Sequence, residues 1–278
     1  MKLTSIAILI AAFSLTGCTL PNSTSSAPVA NSLTGNWELT ASSTTGAVGP
    51  IGIYLTQSGS TVSGIAFVQM AFPQCIGSDG VPCSFPFGVI SRNLTGTIDP
   101  NGNITLGATT GGIPSSTFSM TATTTNNSTL SGTYSISLPP ASDSGTITGN
   151  IIAPLNGTYA GTVVSSSTGL SMGVTTTLSQ TTTPDATGAL RVTETATTFT
   201  GSSCFTTVVM QGPPATYSGL IGNGFTVNLV STTNANTFII ASGGIASDAK
   251  TIQFHYDTAN LPGSTCKNDY GGGTLTLQ

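Results

Sequence analysis

Apolar side chains alternate with threonine, serine and glycine along most of this chain, and a period of two is that of a β-strand with one buried face. Ile51, Ile53 and Leu55 alternate with Gly52, Tyr54 and Thr56. Leu94, Gly96 and Ile98 alternate with Thr95 and Thr97, and Ile104, Leu106 and Ala108 with Thr105 and Gly107. Such strands give a core their apolar face and show water a hydroxyl-rich one, as in antiparallel sheets. Hairpin signals break the runs at Gln57-Ser58-Gly59-Ser60, Asp99-Pro100-Asn101-Gly102-Asn103, Thr125-Asn126-Asn127-Ser128 and Asn223-Gly224. Links this short join antiparallel neighbours, because a parallel pair needs a crossover of about a dozen residues. No helical stretch of useful length competes. The expected class is all-β, an up-and-down meander and not a parallel β-helix.

The chain also returns on itself. Leu33-Thr34-Gly35-Asn36-Trp37 is echoed by Leu155-Asn156-Gly157-Thr158-Tyr159, about 122 positions later. In the same order Leu94–Ile98 matches Tyr217–Ile221, Thr117-Phe118 matches Thr237-Phe238, and Leu130–Tyr134 matches Ile252–Tyr256. Gly145–Thr148 matches Gly273–Thr276. Collinear echoes over the whole length argue for two tandem units, 33–152 and 153–278, each of about eight strands and each the size of a small closed barrel.

A Gly-x-Trp opening the first strand of an eight-stranded meander resembles the lipocalin and calycin superfamily, and Gly35 and Trp37 carry the match. The resemblance implies that Trp37 plugs the closed end of a barrel whose cup takes a small apolar molecule. Tyr159 stands in its place in the second unit, and no arginine on either final strand covers the plug as in lipocalins. Asn268-Asp269-Tyr270 looks like the family's Thr-Asp-Tyr turn but precedes the last strand, and it is read as a chance likeness. A pair of β-sandwiches is the alternative architecture.

The amino terminus has another character. Lys2, an apolar run from Ile6 to Leu15 and then Leu15-Thr16-Gly17-Cys18 resemble the signal peptide and lipobox of bacterial lipoproteins. The resemblance implies that 1–17 is removed and that Cys18 receives diacylglyceryl and a further acyl chain, palmitate among them. Two or more chains anchor stably where one does not. Residues 18–32, rich in Pro, Ser and Asn, form a flexible tether with a span of about 20 Å. Thr19 stands where an aspartate would resemble the inner-membrane retention signal, so the expected address is the outer membrane, with the Cys18 lipid as the membrane contact.

Beyond Cys18 the cysteines are Cys75, Cys83, Cys204 and Cys266, an even number in an oxidising compartment. Of the three pairings, Cys75 with Cys83 and Cys204 with Cys266 keep each bridge within one unit, closing loops that stabilise by about 2.5 and 4 kcal/mol. No Cys-x-x-Cys and no nearby histidine completes a metal site, so no metal and no cofactor is expected. Phe72, Phe85 and Phe87 flank the Cys75–Cys83 loop and are expected to pack beneath it.

Five basic and nine acidic residues, net charge −4, leave no clustered cations for phosphates, which excludes nucleic acid as a partner. Catalytic chemistry is sparse too. His255 is the only histidine, and on a strand from Ile252 to Asp257 it points away from Ile252, Phe254 and Tyr256, toward water. Asp143 with Asp99, and Glu194 with Asp185, are carboxylate pairs that only a tertiary approach could assemble. No nucleophile elbow, zinc helix or phosphate loop occurs, so no catalytic residue is assigned. A transmembrane barrel is disfavoured, because aromatics make up 6% with one tryptophan, too few for two girdles. The expected function is that of a non-enzymatic, lipid-anchored envelope protein that binds or carries a small apolar ligand. The alternative is a structural or adhesin-like surface protein.

Overall fold

The computed structural model describes residues 32–45, 48–70, 88–108, 117–138, 141–185, 190–201, 210–211, 219–221, 224–231, 238–259 and 269–278. Every regular element among them is a strand. The first eight are β1 (Gly35–Ser43), β2 (Val48–Ser58), β3 (Thr61–Met70), β4 (Gly88–Ile98), β5 (Asn103–Ala108), β6 (Thr117–Thr123), β7 (Thr129–Leu138) and β8 (Ala141–Ile152). Each pairs antiparallel with the next, and β1 also pairs with β8, from Asn36 opposite Ile152 to Ser43 opposite Gly145. The first unit is therefore a closed barrel and not a sandwich.

Period two sets its inside and outside. Along β6 exposure alternates at all seven positions, with Phe118, Met120 and Ala122 buried and Thr117, Ser119, Thr121 and Thr123 exposed. Hydroxyls face water and even bond across strands, as Thr121 does with Thr133 at 3.0 Å. An apolar inside and a hydroxyl-rich outside is the reverse of a membrane barrel, whose apolar band faces lipid. Inward glycines let the strands coil tightly enough to close. At Gly96 a Cβ would come 1.8 Å from the Thr105 carbonyl oxygen, so no larger residue fits between β4 and β5 as they stand.

Three links lie at one end, here called the floor: Gly59-Ser60, the turn after Ile98 and the turn after Thr123. Residues 71–87 and 109–116 join strands at the opposite rim. Trp37, near the start of β1, is fully buried at the floor and donates its indole N–H to the Leu33 carbonyl at 2.9 Å. Trp37 thus lies at the end of the barrel where the short Gly-x-Trp segment enters β1.

The remaining strands are β9 (Gly157–Ser165), β10 (Ser171–Gln180), β11 (Leu190–Thr200), β12 (Met210–Gln211), β13 (Gly219–Ile221), β14 (Gly224–Ser231), β15 (Phe238–Ile245), β16 (Thr251–Ala259) and β17 (Tyr270–Leu277). They form a curled sheet in the order β10-β9-β17-β16-β15-β14-β12-β11-β13. β10 also pairs with β11, and β12 and β13 both bridge β11 to β14. Two short strands thus hold the place that β4 fills in the first unit.

The two floors use the same bonds. Leu33 and Leu155, both fully buried, donate their backbone N–H to the side-chain oxygens of Gln57 and Gln180, each at 2.9 Å. Those glutamines donate their own N–H back to Thr34 Oγ1 and Asn156 Oδ1. Tyr159 occupies Trp37's place, fully buried, and its hydroxyl donates to the Ala249 carbonyl at 2.7 Å. The last strands correct the sequence alignment by two residues. Ser43 faces Gly145 and Ser165 faces Gly271, so Gly271 and not Gly273 is the counterpart of Gly145. A slip of two preserves the buried face, which is why period alone does not detect it.

The junction is shared. Ile152 ends β8 in the first barrel while its side chain joins the second core, against which Tyr54 and Ala153 also pack. Ala153 donates its N–H to the Ser247 carbonyl at 2.8 Å, and the Tyr54 hydroxyl donates to the Thr182 carbonyl at 2.9 Å.

Candidate functional site

Each unit carries one buried aspartate at its rim, held by a tyrosine and a serine. In the first, Asp143 at the start of β8 accepts hydrogen bonds from the Tyr134 hydroxyl of β7 at 2.7 Å and the Ser43 hydroxyl of β1 at 2.6 Å. The hydroxyls of Thr44 and Thr45 and the Thr45 N–H complete the ring of donors. In the second, Asp269, fully buried, accepts from the Tyr256 hydroxyl at 2.7 Å, the Ser165 hydroxyl at 2.9 Å and the Ser167 N–H at 3.2 Å. Glycine opposite each tyrosine, Gly145 and Gly271, lets the ring lie across the neighbouring strand.

These donors decide the charge. Burial alone pushes the Asp143 carboxyl up, but the bonds from Ser43, Tyr134, Thr45 and Thr44 outweigh it and hold the group at about 2. Burial, then the bond to Asp143, pushes the Tyr134 hydroxyl up to about 12. Asp269 is likewise lowered against its burial by Ser167, Tyr256 and Ser165, and Tyr256 is raised by burial and by Asp269. An ionised aspartate whose lone pairs are taken by donors is a structural pin and a poor proton acceptor.

The proposed carboxylate pairs are not assembled. Asp99 lies in the floor turn between β4 and β5, accepting from the backbone of Asn101 and from the backbone and side chain of Asn103. Asp143 lies at the rim, the other end of the barrel. Asp185 forms an ion pair with Arg191 at 3.1 Å on the outer side of β11, whereas Glu194 on the same strand is buried inside. His255 is exposed on β16 between buried Phe254 and Tyr256. Cys18, Cys75, Cys83, Cys204 and Cys266, with Phe72, Phe85 and Phe87, lie outside the described residues.

Inside the second unit is a polar group that the first lacks. Glu194, Thr176 and Thr197 are all buried, and the two threonine hydroxyls bond at 2.7 Å. Tyr159 faces Thr176 across β9 and β10 as Trp37 faces Ile53 across β1 and β2. The positions of Thr176, Thr197 and Glu194 are accordingly those of Ile53, Ala66 and Gly64. Nearer the rim Phe199 meets Tyr256 edge to face, with ring centres 6.2 Å apart.

No family model matches the chain, and no curated protein matches it. Its likenesses are to solved structures. A protein of unknown function of the DUF3598 family from Nostoc punctiforme aligns over 88% of this chain and 96% of that one, at 12% identity and a TM-score of 0.27. Kievitone hydratase from Nectria haematococca aligns over 88% and 89%, at 10% identity and a TM-score of 0.25. Likenesses this distant bring no activity to this chain.

Proposed function

We propose that this chain is a non-enzymatic, lipid-anchored protein of the bacterial cell envelope that carries a small apolar molecule. The observation that carries the reading is the closed meander plugged by Trp37 at its floor, with its longer links at the rim, which is the plan of a cup. Leu15-Thr16-Gly17-Cys18 supports the anchor and Thr19 the outer membrane. The non-enzymatic reading draws on the two buried aspartates being held as pins and on His255 being exposed. The surface-interaction reading draws on Val164, Leu170 and Tyr270, exposed at the rim of the second unit, the last by 60%.

Metabolic labelling with a radioactive fatty acid is expected to mark the wild type and to leave Cys18→Ala unlabelled. An unlabelled wild type, or a labelled variant, would contradict the anchor. Organic extraction of protein released from its host membranes then tests the cargo. A stoichiometric apolar compound supports the carrier, whereas its absence together with binding to cell-wall material would favour the surface reading.

A further inference from the structure

We infer that the outer wall of the second unit, near its rim, docks on a lipid surface whose headgroups carry ammonium groups, with Tyr270, Val164, Leu170 and Ile240 as the contact and Asp257 among them meeting the headgroups. The inference rests on the Cys18 anchor proposed above and adds where the folded chain meets the membrane.

The first support is a comparison of the two units at equivalent positions. Because Ser43 faces Gly145 as Ser165 faces Gly271, Val164 stands where the first unit has Ser42, and Tyr270 where it has Ser144. Asp257 lies between Ile240 and Tyr270 as Ser135 lies between Ser119 and Ser144. All four serines are exposed, so the shared plan closes with hydroxyls at these places. In the second unit Ile240, Val164 and Tyr270 remain outside, 40%, 46% and 60% exposed, and Leu170 beside them is 52% exposed. An exposed apolar cluster that closure of the barrel does not use marks a surface that something covers.

The cluster is also held in place. Val164 faces Gly272, and Tyr270 is its diagonal neighbour across β9 and β17, within reach of an aromatic ring. Ser165 ties Leu170 to the same corner by donating its N–H to the Leu170 carbonyl at 2.9 Å. Asp269, next to Tyr270 in the chain, accepts from the Ser165 hydroxyl and the Ser167 N–H, so the second pin fixes this corner.

The tether argues for lipid as the occupant. It joins the fold at Leu33, on the first floor, and the two floors adjoin: Ala153 bonds to Ser247 of the β15–β16 link, and Tyr54 to Thr182 beyond β10. The anchor therefore leaves from the middle of the molecule and not from an end. The rim of the second unit is about 30 Å away, the length of the nine residues of β9. Residues 18–32 span about 20 Å on average and about 50 Å when extended, so the acyl chains and the cluster reach one plane when the molecule lies along the membrane. Tyrosine among aliphatic side chains is the composition of a membrane interface. Charge selects the headgroup: the cluster holds the Asp257 carboxylate and no lysine or arginine, in a chain of net charge −4. Anionic headgroups are repelled there, whereas an ammonium group meets Asp257 and the face of Tyr270.

Hydroxyl-radical footprinting read by mass spectrometry tests this on the full-length lipidated protein in vesicles of phosphatidylethanolamine and phosphatidylcholine, against the Cys18→Ala protein free in solution. Oxidation of Tyr270 and Leu170 is expected to fall severalfold on the vesicles. Val164→Ser combined with Tyr270→Ser, which restores the serines of the first unit, should keep the circular dichroism spectrum and the melting midpoint while returning Leu170 to its solution rate. Phosphatidylglycerol vesicles should protect less, and Asp257→Asn should remove that difference. Equal oxidation of Tyr270 on vesicles and in solution, with acyl chains present on Cys18, would overturn the docking face and leave the anchor standing. Protection that the Cys18→Ala protein shows by itself, rising with its concentration, would make a second copy the occupant and overturn the inference. Protection on phosphatidylglycerol as strong as on the ammonium-bearing lipids would overturn it too. A Cys18 without acyl chains would overturn both the inference and the anchor.

Discussion

Trp37→Ala is expected to destabilise the first barrel by about 3 to 5 kcal/mol, the range for truncating a core aromatic. The side chain is fully buried at the floor, its strand neighbours are Ile53 on β2 and Ile151 on β8, and its N–H satisfies the Leu33 carbonyl. Truncation empties the largest volume at a point where the strands converge and cannot collapse inward, and it strands that carbonyl. Urea unfolding followed by circular dichroism is the measurement, since the variant has no tryptophan to report by fluorescence. Tyr159→Phe keeps the ring and removes only the bond to Ala249, so its cost is expected to be about 1 kcal/mol. A wild-type midpoint for Trp37→Ala would mean that the indole is not a plug.

Asp143→Ala is expected to cost about 2 to 4 kcal/mol, because it leaves buried Tyr134 and the Ser43 hydroxyl without their acceptor. The same pin gives stability a pH dependence with two edges. Asp143 is lowered from 3.8 to about 2, so its contribution is complete above pH 3.8 and is lost as pH falls toward 2. That loss amounts to about 2 kcal/mol. Tyr134 is raised from 10 to about 12, so its contribution is complete below pH 10 and is lost as pH rises through 12. Asp143→Asn should flatten the acid edge relative to wild type. An acid edge of unchanged height in that variant would show that Asp143 is not the group responsible.

How far the sequence carries can be judged at particular residues. Alternation in β6 is complete, and the buried and exposed sets follow from it directly. Closure does not follow, because period two tells which face a residue takes and not which strands meet. Ser43 finds Gly145 a hundred residues away. The pins had a legible trace, since Asp143-Ser144-Gly145 and Asp269-Tyr270-Gly271 share Asp-x-Gly beside the final strands. Pairing Asp143 with Asp99 misses it because sequence gives no indication that one lies at the rim and the other at the floor. Asp269, taken for part of a chance Thr-Asp-Tyr likeness, turns out to be the second pin. Glu194 keeps the period of buried Leu190 and Val192, so its inward face is legible, whereas Thr197 and Phe199 are obscured: one bulged residue resets the face of everything after it, and bulges have no signature in composition.

The central claim is that two β units built on one plan stand in series, and separate expression of 33–152 and 153–278 tests it most directly. Each fragment is expected to give a β-type circular dichroism spectrum and a cooperative melt of its own. The first should lose little, since among the described residues it gives the second core the Ile152 side chain and Tyr54. If neither fragment folds while the whole chain does, the two sheets form one cooperative body and the account of two units is wrong.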